Sequence, residues 1–66
     1  MIKIKIDKLL LEKNMKVKEL AELIGITPSN LSILKNGRAS GVRFNTLNKI
    51  CKALDCQPGD ILIYEE

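Results

Sequence analysis

The segment from Lys18 to Gly37, KELAELIGITPSNLSILKNG, constrains this chain more than any other part of it. Leu20, Ala21 and Ile24 recur at three- and four-residue spacing, which places them on one face of a helix. Gly25 follows where that face ends, and glycine takes the left-handed conformation that terminates a helix without steric cost. Ile26 puts one apolar side chain into the turn. Thr27 offers a hydroxyl N-cap, and Pro28 stands at the first position of a second helix, where its missing N–H is no loss. In that helix Leu31 and Leu34 face inward, Asn36-Gly37 closes it, and Ser29, Asn30, Ser32 and Lys35 are left facing outward. Ala21 matters to the pair, because a small side chain lets two helices cross closely.

Two short helices joined in this way make a helix-turn-helix. From about Leu9 to Leu62 the order and spacing of EKNMKVKELAELIGITPSNLSILKNG and then VRFNTLNKICKALDCQPGDIL resemble the small Cro and lambda-repressor-type helix-turn-helix proteins. The last part looks most like a subgroup of compact bacterial regulators that end shortly after a QPGD turn. Ala21, Gly25 and Leu31 occupy the positions that the family's motif fills with a small residue, a glycine and an apolar residue. The resemblance implies a mainly α, five-helix lambda-repressor-like domain, with short N- and C-terminal strands paired, that regulates transcription by binding double-stranded DNA.

Size and composition narrow the alternatives. Sixty-six residues make one domain, residues 1–66, and a chain this short buries only roughly 60% of its unfolded surface. Reinforcement by a metal, a disulfide or a partner chain would therefore help it. Histidine is absent, which removes the commonest zinc ligand and the commonest general base together. The two cysteines, Cys51 and Cys56, lack the further ligands a zinc site needs. Cys51 falls on an apolar helical stripe and reads as a buried thiol; Cys56 lies in or near the following turn, and a disulfide between the two is the disfavoured reading, since nothing else in the sequence suggests an oxidising compartment. No metal and no cofactor is expected, nor is an enzyme, since no nucleophile–base pair and no phosphate loop can be found. No segment approaches the ~20 apolar residues of a membrane span, so the expected location is cytoplasmic. With Phe44 and Tyr64 as the only aromatics, a base-stacking binder of single strands is disfavoured, and core or interface packing accounts for both rings.

Charge is distributed unevenly. The net charge is only +3, but no acidic residue lies between Glu22 and Asp55, while Lys35, Arg38, Arg43, Lys49 and Lys52 do. Asp60, Glu65 and Glu66 collect near the C-terminus. A basic face opposite an acidic end suits a phosphate-binding surface.

Along the chain, Ile2, Ile4 and Ile6 alternate with Lys3 and Lys5, which predicts a half-buried strand. Asp7 can cap a first helix that runs to about Lys13 with Leu10 and its neighbouring leucines inward, and Asn14 stands at the turn after it. Helices are predicted from about Val17 to Ile24, from Pro28 to about Asn36, and from Arg43 or Phe44 onward, the last with Phe44, Leu47, Ile50, Cys51 and Leu54 facing the core. Gln57-Pro58 starts one short turn, and Ile61 to Tyr64 reads as a strand. A two-stranded hairpin is marginal alone, and its free edge is a template for another chain. A homodimer through the terminal strands, with Tyr64 near the contact, is the expected assembly; the competing arrangement is a small sheet that only ties down the ends.

Family resemblance implies that the second helix of the motif lies in the major groove. Carried onto this chain, the base-facing residues are Thr27, Pro28, Ser29, Asn30 and Ile33. Asn30 leads, because an amide pairs with adenine N6 and N7, and Ile33 suits a thymine methyl. Lys16, Lys18, Lys35, Asn36, Arg38 and Arg43 are the residues for the DNA backbone, Arg43 near a helix N-terminus that can receive a phosphate. Two positions depart from the family pattern: Val17 stands where many members have Gln, and Lys16 where many have a capping Ser or Thr. Weak half-site affinity would make dimerisation more necessary. The other readings are an antitoxin-type regulator and a protein-interaction module that has kept the fold and lost base recognition.

Overall fold

The computed structural model describes residues 1–37 and 40–66. In chain order the elements are β1 (Ile2–Ile4), α1 (Ile6–Glu12), α2 (Val17–Ile24), α3 (Pro28–Lys35), α4 (Phe44–Leu54), α5 (Pro58–Ile61) and β2 (Leu62–Tyr64). Every helix sends at least one fully buried side chain to a single core: Ile6, Leu20, Leu31, Ile50 and Leu54, and Ile61. α2 is the hub, packed against both α3 and α4, while α5 touches α1 and α4.

The helix boundaries follow from local chemistry. α2 ends at Gly25, at φ 76°, and the N–H groups of Gly25 and Ile26 both donate to the Ala21 carbonyl, at 2.9 and 3.1 Å. At its start the Glu19 carboxylate accepts from the Lys16 N–H at 3.2 Å. This is half of a capping box, since the Lys16 ammonium cannot accept in return. α3 begins with Thr27 Oγ1 accepting the Asn30 N–H at 3.1 Å, with Pro28 at its first position. Thr27→Ala should cost about 1 kcal/mol and lower the melting temperature by about 4–8 °C in a circular-dichroism melt. An unchanged midpoint would mean that the cap contributes nothing.

At α1 the sequence reading needs correction. The helix begins at Ile6 with Lys5 in the cap position, and Asp7 falls inside its first turn rather than capping it. Burial of Ile6 draws the start two residues earlier, and a carboxylate in the first turn is still well placed against the helix dipole. It also takes Ile6 out of the alternating strand. Leu9 and Leu10 are buried, but Leu11 is 82% exposed, because three consecutive helical residues span too wide an arc to face one core. Asn14 adopts the left-handed conformation expected of it, at φ 52°.

β1 and β2 pair antiparallel, with Ile2 opposite Tyr64, Lys3 opposite Ile63 and Ile4 opposite Leu62. The Lys5 N–H to Ile61 carbonyl bond (2.7 Å) and the Glu65 N–H to Met1 carbonyl bond (2.8 Å) extend the ladder at both ends. Phe44 departs most from expectation. It is 82% exposed, and the inward face of α4 starts one turn later, at Leu47.

Candidate nucleic-acid interface

Fully buried Ala21 allows α2 and α3 to pack closely, and Leu31 and Leu34 fix which way α3 is turned. What that rotation leaves outside is Pro28, Ser29 and Asn30, all exposed, and Ile33, at 46% exposure. Ser32, expected outward, is half-buried. The Thr27 hydroxyl oxygen is committed to the Asn30 N–H, so Thr27 holds the helix end and has its O–H proton left to donate.

An open hollow of about 310 Å³ lies between α3 and the start of α4. Asn30 and Ile33 form one wall, and Arg43 and Thr46 the other, with Ile26 and Val42 among the apolar side chains between them. Three residues singled out from the sequence are therefore brought to one place, and Thr46 joins them. Its signal was its position three residues after Arg43, on the same first turn. Arg43 sits at the N-cap of α4 and makes no side-chain cap bond there. The first N–H groups of that eleven-residue helix have no side-chain cap, and Arg43 at their end is exposed, an arrangement suited to an anion.

The remaining candidates for the DNA backbone are dispersed. Lys16 and Lys18 are exposed at the start of α2, and Asn36 is exposed just after α3. Arg38 lies outside the described residues. Lys35 is half-buried, and its Nζ stands 3.1 Å from Asp7 Oδ1 on α1, so this ammonium is already engaged within the fold. Lys49 and Lys52 line a different cleft, with Leu23, so the described basic residues of the acid-free segment are divided between separate places. Asp7→Asn should change stability by less than about 0.5 kcal/mol, because the carboxylate is 70% exposed. It should also tighten duplex binding at low salt by releasing Lys35. Unchanged binding at low salt would show that this ammonium does not reach the DNA.

Among the described residues no three His, Cys, Asp or Glu side chains are grouped to hold a metal ion, and no helix is long and apolar enough to cross a membrane.

Comparison with known proteins decides the family. Residues 5–66 match the Cro/C1-type HTH DNA-binding domain. The chain belongs to the Cro/C1-type helix-turn-helix family. This Cro/C1-type chain is 61% identical over 61 residues to YozG, an uncharacterised HTH-type transcriptional regulator of Bacillus subtilis (strain 168), covering 92% of the chain and 73% of YozG. Its fold is similar to the crystal structure of the transcriptional regulator VanUg, form II. The TM-score is 0.77 at 33% identity, over 94% of this chain and 81% of that one. The Cro/C1-type membership makes double-stranded DNA its ligand class and transcriptional regulation its setting.

Proposed function

We propose that this Cro/C1-type protein is a sequence-specific repressor that binds a short pseudo-palindrome in double-stranded DNA as a homodimer. One observation carries the reading: Asn30, Ile33 and Arg43 rim a single hollow between the exposed face of α3 and the N-terminus of α4. With α3 in the major groove, Asn30 pairs with an adenine edge, Ser29 and Pro28 lie against neighbouring bases, and Ile33 meets a thymine methyl. Thr27 supports them as the cap. Lys16, Lys18, Asn36, Arg38 and Arg43 hold phosphates, and Lys35 joins them when it leaves Asp7.

Surface properties support the dimer. The accessible surface of 4876 Å² exceeds the roughly 4200 Å² expected of a compact monomer of this mass. Much of the exposed apolar area lies on the terminal sheet, at Met1, Ile2, Ile63 and Tyr64. A second copy beside that sheet would cover these side chains and set two recognition helices about one DNA turn apart (~34 Å). Occupancy of a promoter is then the simplest mechanism of repression in the cytoplasm.

Fluorescence anisotropy on a random duplex pool, with selection of the bound fraction at two salt concentrations, tests this. Enrichment of a two-fold-symmetric motif is the expected result. Salt-sensitive binding without enrichment would reject intrinsic sequence specificity. Absence of binding even at low salt would overturn the DNA reading in favour of a protein-interaction module.

A further inference from the structure

Both cysteines of the chain meet at one corner of the fold, away from the DNA-facing hollow. Cys51 is in the last turn of α4, and Cys56 is the second residue beyond the helix. In a continuing helix, residues five apart would point in different directions. Here the chain reverses through Asp55, which is left-handed at φ 50°, and the N–H groups of Asp55 and Cys56 both close on the Cys51 carbonyl, the latter at 3.0 Å. In this reversal the side chains at the two ends of the closed turn come into contact. Both thiols are free and half-buried, so reagents in solvent can reach them.

We propose that Cys51 and Cys56 form a redox-active dithiol that closes into an intramolecular disulfide on exchange with a low-molecular-weight disulfide. One cysteine thiolate attacks the small disulfide, forming a mixed disulfide and expelling one small thiolate. The second cysteine, as thiolate, attacks the protein-bound sulfur, forming the Cys51–Cys56 bond and expelling the other. Two protein thiols are oxidised and one disulfide is reduced to two thiols, which carry away the two protons.

The surroundings affect the rate. Burial raises the Cys56 thiol above its usual range, the neighbouring Cys51 and Asp60 raise it further, and Lys13 opposes them. Cys56 is thus mostly protonated near neutrality, and exchange through it speeds up as pH rises. The bond would fasten the end of α4 to the segment leading into α5 and β2, holding Asp55 in its left-handed conformation. It lies about 12 Å along α4 from Arg43, so it acts on stability and leaves the DNA-facing groups alone.

The test exposes the folded chain to oxidised glutathione, quenches with acid and reads the intact mass. Loss of about 2 Da without an adduct is expected, reversed by dithiothreitol, with a melting temperature raised by about 5–10 °C in the oxidised form. Cys56→Ser should instead retain one glutathione adduct at Cys51. Cys51→Ala gives the mirror-image result at Cys56 and serves if the first variant does not fold. Stable glutathione adducts or interchain dimers on the native sequence, with no loss of two hydrogens, would overturn the proposal. Because no DNA is present, its failure leaves the repressor reading untouched.

Discussion

Leu31→Ala is expected to leave this chain largely unfolded at physiological temperature. Leu31 is fully buried on the inward face of α3, the helix that packs against α2. Truncating such a leucine costs about 2–5 kcal/mol in lost burial and residual cavity. A domain of 66 residues has only about 3–10 kcal/mol of stability in total, so the loss takes about half of it or more. A circular-dichroism melt should show the midpoint falling by about 15 °C or more. DNA binding should fall with it, because α3 is held in place by this side chain, and saturating DNA should restore part of the midpoint through linkage. A fall of less than about 5 °C would mean that α3 is docked by other contacts. Leu11→Ala supplies the contrast: that side chain is 82% exposed, and its loss should change stability by no more than about 0.5 kcal/mol.

The contrast between these two leucines also shows what could be read from the sequence. Where a helix had both a periodic face and a terminator with its own chemistry, the boundaries were legible. Gly25 and the Thr27-Pro28 pair set the end of α2 and the start of α3 at the residues where they are found. Asn14 was legible for the same reason, while the pairing of the terminal strands followed from the family resemblance. Periodicity says which face a residue shares, but not where the core stops. Phe44 shares the stripe of Leu47, Ile50 and Leu54 yet stands at the first position of α4, beyond the reach of the core.

Side-chain contacts between distant helices were not legible either. Nothing near Lys35 in sequence announces that Asp7 of α1 will hold it, and composition alone could not separate Lys49 and Lys52 from Arg43. The exposure of Pro28, Ser29, Asn30 and Ile33 was legible because it depends on one helix's rotation. The backbone candidates depend on how several elements are packed, and they emerged divided among exposed, paired and separate positions.

Asn30 and Arg43 rim the same hollow, yet they should fail differently. Asn30→Ala should weaken binding to the selected motif by about 5- to 150-fold, the equivalent of losing one bidentate base contact of roughly 1–3 kcal/mol. Binding to random duplex and the salt dependence should remain unchanged, since an amide displaces no counterion. Arg43→Ala should weaken all sequences to a similar degree and reduce the slope of log affinity against log salt by about 0.9 per protomer. Both residues are exposed, and what Thr27 caps is the backbone N–H of Asn30, which alanine keeps. Melting midpoints should therefore move little, and a loss of binding can be assigned to the interface. If Asn30→Ala weakened motif and random DNA equally, the amide would be holding a phosphate and the source of specificity would lie elsewhere on α3. If Arg43→Ala relaxed the preferred motif without altering the salt slope, the guanidinium would be reading a base, and the hollow would be a base pocket on both of its walls.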